Sequence, residues 1–349
     1  MRVVAPLLLT LSLLLAGPAG AQIYYAAPGD LGDGSACDSP GTIAEALDLA
    51  RMDGSGMPTE VRIAGGMYNE FNLVIDFSNV SVKGGYNPAD VGAIGCDDAT
   101  AETNRDPATF ETVIDAMDMD RILDIVPNVM AGDPPIFVSS NTDIEVSGIT
   151  FTNGRPQRMT ASGDLGGSGG AILLLNCDRV TISNNVFRDN ESFQHLFAGG
   201  AIYIAGYATG PTTADFHPVN VELNENVFEN NRTGDPMENS SGIGGAVAAV
   251  DFNNTSMTAI RQTVINAARN TFTGNVAQGA TTIPAALCDG TGNQDCQDPF
   301  DGSLDTCNSR ALGGAVYLAN VSGDWQGNFF DGNSSVSGTN RGAGESDAS

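Results

Sequence analysis

The residues that could cleave a polysaccharide are acids next to a repeated phenylalanine. Glu229 and Asp331 each follow the Phe of an Asn-x-Phe-x-x-Asn motif, and Thr273 holds that position in the motif between them. Glycoside hydrolysis needs two carboxyl groups about 5 to 9.5 Å apart. If each motif belongs to one coil of a stacked β structure, Glu229 and Asp331 are about 9.6 Å apart. This distance is at the outer limit, and we expect both to be solvated turn residues.

The remaining candidate catalytic groups are scattered. Asp97 and Asp98 are adjacent acids in a segment without a nearby His. A polysaccharide lyase would need a basic side chain beside a cation-held uronate, and Lys83 is the single lysine. His195 and His217 lie in predicted loops. An acid–base catalyst must lie within hydrogen-bond reach of the proton that it moves, and nothing in the sequence brings these groups together. The sequence predicts no catalytic residues.

An acidic segment between Cys288 and Cys307 offers oxygen ligands of the kind that Ca²⁺ prefers. The order of its residues matches neither the EF-hand pattern nor the glycine-rich calcium repeat. Two interpretations stay open, a Ca²⁺ site and a soluble acidic loop held by disulfides, and the second is favoured, so no cofactor is expected. The oxygen-bearing residues are Asp289, Asn293, Asp295, Asp298, Asp301 and Asp305.

Aromatic side chains offer another way to bind a sugar, by forming a stacking face. Aromatic residues in strands more often pack in a core or across neighbouring strands, and that interpretation is preferred here. The residues concerned are Tyr24, Tyr25, Tyr203, Tyr207, Tyr317 and Trp325.

The charge balance excludes several classes of partner. The 349 residues include 42 Asp and Glu against 15 Lys and Arg, which gives a formal net charge of −27. Such an acidic chain repels phosphate, so neither nucleic acid nor an anionic membrane surface is an expected partner. The 43 glycines, with 7% aromatic and 16% charged residues, fit turn-rich repeated β structure better than a helical bundle.

Residues 1–21 have the features of a signal peptide. Arg2 precedes an apolar run from Leu7 to Leu15, and Ala19-Gly20-Ala21 is a small-x-small cleavage pattern before Gln22. The alternative, an N-terminal membrane anchor, is disfavoured because the apolar run is short for a bilayer. We expect a mature chain from Gln22 that is secreted or located at the outer membrane or cell surface, with no later transmembrane helix.

Export to an oxidising compartment makes disulfides the expected state of an even set of cysteines. Proximity along the chain predicts a bond between Cys37 and Cys96. It also predicts one bond between two of the three cysteines in the acidic segment, Cys288, Cys296 and Cys307. Cys177 is either a small buried thiol or the partner of the remaining loop cysteine.

Two short units alternate through the chain, and together they form one structural repeat. The glycine unit, Gly-Gly-Ala-(Ile/Val), starts at Gly169, Gly199, Gly244 and Gly313. The irregular spacing of these starts favours a coil with loops of variable length over a propeller blade. The second unit, Asn-x-Phe-x-x-Asn, occurs four times. Its first Asn is Asn185, Asn226, Asn270 or Asn328, its Phe is Phe187, Phe228, Phe272 or Phe330, and its second Asn is Asn190, Asn231, Asn275 or Asn333.

These repeats predict an all-β fold, a single-stranded right-handed parallel β-helix like that of pectate lyases. Short aliphatic runs bounded by Gly, Asn and Asp indicate strands of about four residues. Stacked coils would place the repeat Phe in one interior column and the Asn in ladders about 4.8 Å apart. The glycine pairs would allow positive φ or close approach of coils at a corner. The right hand is the default for parallel crossovers.

The N-terminal part is predicted to cap this solenoid. Thr42 and Glu45 form a capping box, and Ile43, Leu47 and Ala50 share one face of a helix from Thr42 to about Met52. Such a helix closes a sheet edge that would otherwise invite aggregation. We assign 22–80 to the cap and first coils and 81–349 to the β-helix with inserted loops. Strands are predicted at 60–63, 71–75, 80–83, 121–125 and 144–151, and the longest loops at 206–218, 232–243 and 276–312.

At these motifs the chain resembles the repeats of chlamydial polymorphic outer-membrane proteins and of related bacterial secreted β-helix repeat proteins. Segments 82–86, 105–109, 112–115 and 148–154 are similar to a recurring region of that bacterial group. The resemblance implies a secreted or surface-exposed β-helix, which in some relatives is an adhesive autotransporter passenger. Nothing resembles a C-terminal membrane barrel or sorting domain, and 341–349 resembles the start of another glycine unit. We therefore expect either a truncated gene product or another cap at that end.

The sequence thus predicts a monomeric, non-catalytic scaffold at the cell surface, an adhesin that binds a surface glycan or protein through its loops. Loops carry binding functions because a rigid framework holds them. The alternative is a secreted polysaccharide lyase or glycoside hydrolase acting on acidic glycans, since a fold by itself does not determine function. The ligand, the disulfide connectivity and the means of surface attachment do not follow from the residues.

Overall fold

The structure is a computed structural model in which most strands pair in parallel. It describes residues 21–29, 32–53, 57–92, 96–127, 129–130, 136–137, 142–156, 167–192, 199–206, 219–234, 242–251, 263–278 and 311–336.

The first sheet has nine strands, all parallel to their neighbours. Its strands are β1 (Gln22–Ala26), β2 (Thr59–Ala64), β5 (Val80–Tyr86), β10 (Thr142–Ser147), β13 (Asp178–Ser183), β17 (Asn220–Asn224), β22 (Thr263–Ala268), β27 (Val321–Ser322) and β28 (Trp325–Gln326). Both β27 and β28 pair with β22.

The second sheet has seven parallel strands: β3 (Gly66–Tyr68), β6 (Thr112–Asp115), β11 (Ile149–Thr152), β14 (Val186–Arg188), β18 (Val227–Glu229), β23 (Thr271–Thr273) and β29 (Phe329–Asp331). The third has six: β4 (Leu73–Ile75), β7 (Leu123–Ile125), β12 (Ile172–Leu175), β16 (Ile202–Gly206), β21 (Val247–Asp251) and β26 (Val316–Ala319).

Smaller elements complete the described part of the chain. The fourth sheet contains β15 (Glu191–Ser192), β19 (Arg232–Thr233), β24 (Val276–Gln278) and β30 (Ser334–Val336). Two two-stranded sheets pair β20 (Gly242–Ile243) with β25 (Ala311–Leu312), and β8 (Val129–Met130) with β9 (Ile136–Phe137). The helices are α1 (Ile43–Met52) and α2 (Asp98–Thr103), and neither is long and apolar enough to cross a membrane.

The chain visits the first, second and third sheets in the same order again and again. We call one such passage a coil; coil 1 begins at β2 and coil 7 at β27. Because each strand pairs with its counterpart one coil later, equivalent residues of successive coils are direct neighbours across every sheet. This arrangement confirms the predicted all-β class with parallel sheets and is consistent with an all-β parallel solenoid.

The repeat phenylalanines stack one upon the next. The rings of Phe151, Phe187, Phe228, Phe272 and Phe330 have centroids 5.1, 4.9, 4.7 and 4.7 Å apart in succession, and adjacent planes differ by less than 10°. Phe187, Phe228 and Phe272 are completely buried, whereas the Phe330 ring in coil 7 is 50% exposed. Its exposure departs from the expectation of four interior rings, because no later coil covers it within the described residues.

The asparagines form two ladders beside this column. Asn190 donates from its backbone N and its Nδ2 to Asn231 Oδ1, at 3.1 and 3.0 Å, and Asn231 repeats both bonds to Asn275 Oδ1. Asn190 Nδ2 also donates to the backbone O of Phe151 in the coil before. The first ladder, from Asn185 through Asn226 and Asn270 to Asn328, has the same pattern. Each buried amide therefore ties three coils together.

A glycine pair opens each third-sheet strand from coil 3 to coil 6, and both positions need glycine in coil 3. Gly169 has φ +64°, and a Cβ there would lie 2.2 Å from Ile172 O. A Cβ on Gly170 would lie 2.2 Å from Gly200 O of the next coil. The pair therefore combines a left-handed backbone with close approach of coils.

The predicted capping helix is confirmed. Thr42 is the N-cap of α1 and forms the capping box with Glu45, and the apolar face of α1 is buried. Glu70, from coil 1, accepts hydrogen bonds from the backbone N of Ile43 and of Ala44, each at 3.0 Å. Burial outweighs these bonds and raises the pKa of the Glu70 carboxyl. The helix packs on β1, β2 and β4 and covers the N-terminal end of the stack.

The cysteine chemistry is partly described. Cys37 and Cys96 form the expected disulfide, with Cα atoms 6.0 Å apart. Cys177 is a free, completely buried thiol, which is one of the two states considered for it. Burial raises its pKa well above the usual range. Cys288, Cys296 and Cys307 lie outside the described residues.

Several predicted boundaries are wrong, and each has a structural reason. The run 144–151 is two strands, because Gly148 at φ +71° turns the chain from β10 into β11. Residues 232–233, 242–243, 276–278 and 311–312, at the ends of the predicted loops, are the strands β19, β20, β24 and β25. They pair with equivalent residues of neighbouring coils, a long-range interaction that local composition does not reveal.

Replacing Phe228 by Ala should lower the free energy of unfolding by about 3 to 5 kcal/mol, because its fully buried ring contacts rings on both sides. Phe330→Ala is the matched control and should cost about 1 kcal/mol, because this ring is already half exposed. Urea denaturation measures both. Equal losses for the two variants would contradict the stacked column.

Candidate recognition site

The insertions leave the coils at the two ends of the third-sheet strands. Before those strands, the described chain is interrupted at 157–166, 193–198, 235–241 and 279–310; after them, it is interrupted at 131–135, 138–141, 207–218 and 252–262. By contrast, the corner between the first and second sheets takes one or two residues from coil 3 to coil 7. The length of the chain thus varies widely beside the third sheet, whereas at the opposite corner it differs by one residue at most.

From β12 to β21 the third sheet is apolar on both faces. One face contributes Ile172, Ile202 and Val247 to the main core inside the coils. The other face forms a separate apolar cluster, which also takes in Ile243 from β20. The members of this outer cluster are Leu173, Leu175, Tyr203, Ala205, Ile243, Ala248 and Val250, all buried. The outer faces of β12, β16 and β21 are therefore buried and apolar, unlike a solvated sheet face, which is polar.

The first sheet has a different outer surface. Glu60, Ser81, Glu145, Thr181 and Glu222 are cross-strand neighbours on successive strands and point away from the core. All of them are half-buried polar residues. This alternation of apolar inside and polar outside is that of a solvated sheet face. The two outer faces therefore differ, and the segments of variable length begin and end beside the third sheet.

The candidate hydrolase acids do not face one another as a pair. Arg188, Glu229, Thr273 and Asp331 are consecutive partners across the second sheet, so Thr273 stands between the two carboxylates. Arg188 is the neighbour of Glu229 on its other side. The structure thus places these residues in the register that the repeats predicted, on a sheet face and not across a cleft.

Lys83 belongs to a charged cluster on the first sheet, which we call the Glu60 cluster. It consists of Tyr25, Glu60, Arg62, Lys83, Tyr86, Asp98 and Glu102. Lys83 Nζ donates to Glu60 Oε2 at 2.9 Å, and Arg62 Nε donates to Glu60 Oε1 at 2.6 Å. The side chain of Lys83 is 18% exposed and that of Glu60 is 13% exposed. The lysine that a lyase would need as a free base is therefore engaged in a half-buried ion pair.

The Glu60 cluster fastens the α2 insertion to the first sheet. Arg62 Nη1 donates to the backbone O of Asp98 at 2.7 Å, and Tyr25 Oη donates to the Asp98 carboxylate. Tyr86 Oη donates to Glu102 Oε2 at 2.7 Å. Burial opposes the ionisation of Glu60, but the bonds from Lys83 and Arg62 outweigh it and lower the Glu60 pKa. The cluster holds structure together and offers no unengaged acid–base pair.

The adjacent acids Asp97 and Asp98 also have structural partners. Asp97 is the N-cap of α2, and its Oδ2 accepts from Thr100 N at 3.0 Å and from Thr100 Oγ1 at 2.7 Å. These hydrogen bonds lower the Asp97 pKa. Asp98 accepts from Tyr25 Oη in the Glu60 cluster.

Of the aromatic residues considered for a sugar-stacking face, those that the structure describes do not form one. Tyr24, Tyr25 and Tyr203 are buried, with 7%, 2% and 0% of their surface exposed. Tyr317 and Trp325 are half-buried and pack against different apolar clusters. The preferred interpretation of these residues as packing residues fits the structure.

Some candidate residues fall outside the described part of the chain. They are His195, His217, Tyr207 and the acidic segment with Asp289, Asn293, Asp295, Asp298, Asp301 and Asp305. Among the residues that the structure does describe, no three His, Cys, Asp or Glu side chains are grouped so as to hold a metal ion.

Sequence reasoning missed the Glu60 cluster and the outer apolar cluster. For the Glu60 cluster the sequence does contain a local pattern. Glu60 and Arg62 alternate with apolar residues in β2, as Ser81 and Lys83 do in β5, so all four are on the outward face of the sheet. The pairing of β2 with β5 and the contacts of Asp98 and Glu102 in α2 with this face join residues that are far apart in the sequence, so the pattern within one strand does not predict them. For the second, the unbroken apolar run 171–175 was compatible with a strand buried on both faces.

Comparisons with known proteins give no relative. No protein-family model, no curated protein and no solved structure matches the chain.

The Glu60→Gln variant should lose about 3 kcal/mol of stability at pH 7, because the buried charge of Arg62 and the half-buried charge of Lys83 are left without their shared carboxylate. The folded-state pKa of Glu60 is lowered from 4.5, so its stabilisation is complete above that value and declines as pH falls through the folded pKa. The wild type and the variant should therefore converge only at pH values below the folded-state pKa of Glu60.

The matched control for this prediction is Glu145→Gln, on the same outward row, where the carboxylate accepts from Ser81 and Ser147 instead of from a cation. It should change stability by less than about 1 kcal/mol. Urea titrations from pH 7 to pH 3 compare the three proteins. A Glu60→Gln deficit that stays constant with pH would contradict the ion-pair assignment.

Proposed function

We propose that this protein is a secreted or cell-surface adhesin, a right-handed parallel β-helix that displays its insertions for binding a surface glycan or protein. One observation carries the proposal: the insertions of coils 3 to 6 all flank the third sheet, while the corner between the first and second sheets, which holds the Asn185 ladder, keeps one repeated geometry from coil 4 to coil 7. A rigid stack with variable segments on one side is suited to recognition, since loops bind and the framework positions them.

The right hand of the helix is part of the proposal. It is supported by the parallel pairing of every coil with the next and by the strong preference of parallel crossovers for that hand. The resemblance of the repeats to chlamydial polymorphic outer-membrane proteins supports surface display, as does the leader-like sequence of residues 1–21.

The absence of catalysis in this proposal rests on how the candidate groups are used. Glu229 and Asp331 are separated by Thr273 along the sheet. Lys83 is paired with Glu60, and Asp98 with Tyr25. A general acid or base must be able to reach a substrate proton, and these groups are committed to neighbours or set apart. A polysaccharide lyase or hydrolase acting on acidic glycans stays the alternative.

Binding should depend on the insertions and not on the stack. We expect the purified chain from Gln22 to bind a set of immobilised glycans or surface proteins. Replacing 279–310 by a short Gly-Ser linker between β24 and β25 should reduce that binding at least tenfold, a change of about 1.4 kcal/mol. The control is Met67→Ala, a 63% exposed residue on the second sheet, which should leave binding unchanged. Equal binding by the linker variant and the parent would contradict the proposal.

Enzyme assays separate the two functions. Pectin, alginate and other uronate polymers, with Ca²⁺ supplied, should yield no unsaturated or reducing sugar above a no-protein control. If sugar is released, and the release is lost in Glu229→Gln, Asp331→Asn or Lys83→Met, the proposal of a non-catalytic adhesin is wrong and the polysaccharide lyase or hydrolase takes its place.

A further inference from the structure

The α2 insertion, residues 87–111 between β5 and β6, is attached to the rest of the structure on both sides of its helix. Before α2, Cys96 forms the disulfide with Cys37. After α2, the Arg105 guanidinium donates to backbone oxygens of β5 and β10, at 2.8 and 3.2 Å. Neither attachment relies on a carboxylate, so both persist in acid.

Between these attachments, α2 is held to the first sheet by its carboxylates and by one arginine. Asp98 accepts from Tyr25 Oη, and Glu102 Oε2 accepts from Tyr86 Oη at 2.7 Å. Arg62 donates to the backbone O of Asp98 at 2.7 Å, and its Nη2 lies 3.4 Å from Glu102 Oε2. The position of α2 therefore depends on charge.

Apolar packing contributes little to this position. Ala101 is the single buried residue of α2, and it belongs to an apolar cluster with Tyr25, Ala64, Tyr86 and Val91. Burial of one methyl group removes much less apolar surface from water than burial of a large side chain. The polar contacts therefore decide whether α2 stays on the sheet.

Arg62 makes those contacts sensitive to pH. Its side chain is 7% exposed, and its Nε donates to Glu60 Oε1 at 2.6 Å. A guanidinium stays charged throughout the acidic range, whereas Glu60 and Glu102 lose their charge there. A buried charge without a partner is costly. Movement of α2 away from the sheet brings water to Arg62 and removes this cost.

We propose that residues 97–104, which are α2 with its two caps, form a flap that opens in acid when Glu60, Asp98 and Glu102 are protonated. Opening exposes the apolar cluster under Ala101. The disulfide and Arg105 keep both ends of the flap attached, so the opening is local and the coils stay folded.

The ionisable groups around the flap come from each described element that it contacts. In acid the carboxylates become neutral, whereas the charges on the arginines and on the lysine remain. The groups are Tyr25 of β1, Glu60 and Arg62 of β2, Lys83 and Tyr86 of β5, Asp38 in the cleft beside Asp98, and Asp90, Asp97, Asp98, Glu102 and Arg105 of the insertion itself.

The pH at which the flap opens follows from Glu60. Burial disfavours its charged form, but the bonds from Lys83 and Arg62 outweigh burial and lower the Glu60 pKa from 4.5. A carboxyl with a lowered pKa stabilises the closed form at pH values above 4.5, and this stabilisation is lost as the pH falls through the lowered value. The asparagine ladders contain no titratable group, so coils 4 to 7 keep their cross-coil hydrogen bonds at that pH.

A thiol under the flap reports its opening. Ala101→Cys places one on the buried side of α2, and Val91→Cys places one in the same apolar cluster with little change of volume. The reagent is dithiodipyridine, with each rate taken relative to glutathione at the same pH and each labelled thiol located by mass spectrometry. We expect both new thiols to react at least tenfold faster at about pH 3 than at pH 7.

The chain contains its own control for global unfolding. Cys177 is a free thiol that is completely buried in the core, and it should stay unlabelled at both pH values. The same peptide map checks that the bond between Cys37 and Cys96 is retained. Using two probe positions keeps the test valid if one of the substitutions prevents folding.

A charge variant tests the cause of the opening. With Glu60→Gln added, the thiol at position 101 should react about tenfold faster at pH 7 than without it, because Arg62 has lost the partner that acid would neutralise. Glu145→Gln is the matched control on the same outward row, where the carboxylate accepts from Ser81 and Ser147, and it should leave the rate at pH 7 unchanged.

Three outcomes would overturn the proposal. They are equal relative rates at the two pH values, labelling of Cys177 in acid together with the new thiols, and a Glu60→Gln rate at pH 7 no faster than that of Glu145→Gln. None of these measurements involves the insertions at the third sheet, so the flap is tested separately from the proposed adhesin.

Discussion

The side-chain carbonyl of a buried asparagine determines how one coil lies on the next. In each ladder one Oδ1 accepts both the backbone N–H and the Nδ2 of the asparagine before it, so equivalent residues are forced into register. This register places the repeat phenylalanines directly opposite one another, so their rings stack with centroids 4.7 to 5.1 Å apart. Burying an amide without hydrogen-bond partners costs free energy, so each asparagine of a ladder is stabilised only when the neighbouring coils supply its partners.

The same constraint explains where the chain can vary. The corner between the first and second sheets takes one or two residues from coil 3 to coil 7 and holds the Asn185 ladder, so a longer insertion there would separate donors from acceptors in neighbouring coils. The third sheet is held by apolar packing on both faces, which is not directional and accepts additional chain. The α2 insertion of coil 2 lies before the ladders begin, and it has its own fastening in the Glu60 cluster. The corner between the first and second sheets thus holds the coils in register, while the proposed binding function belongs to the insertions beside the third sheet.

Much of this fold can be predicted from the sequence because its interactions repeat. The capping box of Thr42 and Glu45 is local, so the predicted bounds of α1 agree with the structure to within one residue. The repeat motif predicted the cross-coil partners of Phe228 and Asn231, because identical spacing implies identical coils. The pairing of Lys83 with Glu60 and the strands β19 and β24 depend on register and long-range return of the chain, which spacing within one segment does not encode. The exposure of Phe330 depends on its position in the last described coil, which its own motif does not reveal.

Side-chain hydrogen exchange tests the ladders most directly. With ¹⁵N-asparagine labelling, the Nδ2 protons of Asn190, Asn226, Asn231 and Asn270 should persist for hours in D₂O, because these amides are completely buried and hydrogen-bonded between coils. The exposed Asn184 and Asn230, which directly precede ladder positions, should exchange before the first spectrum. Exchange of the ladder amides as fast as that of Asn184 and Asn230 would contradict the claim that asparagine ladders hold the coils in register.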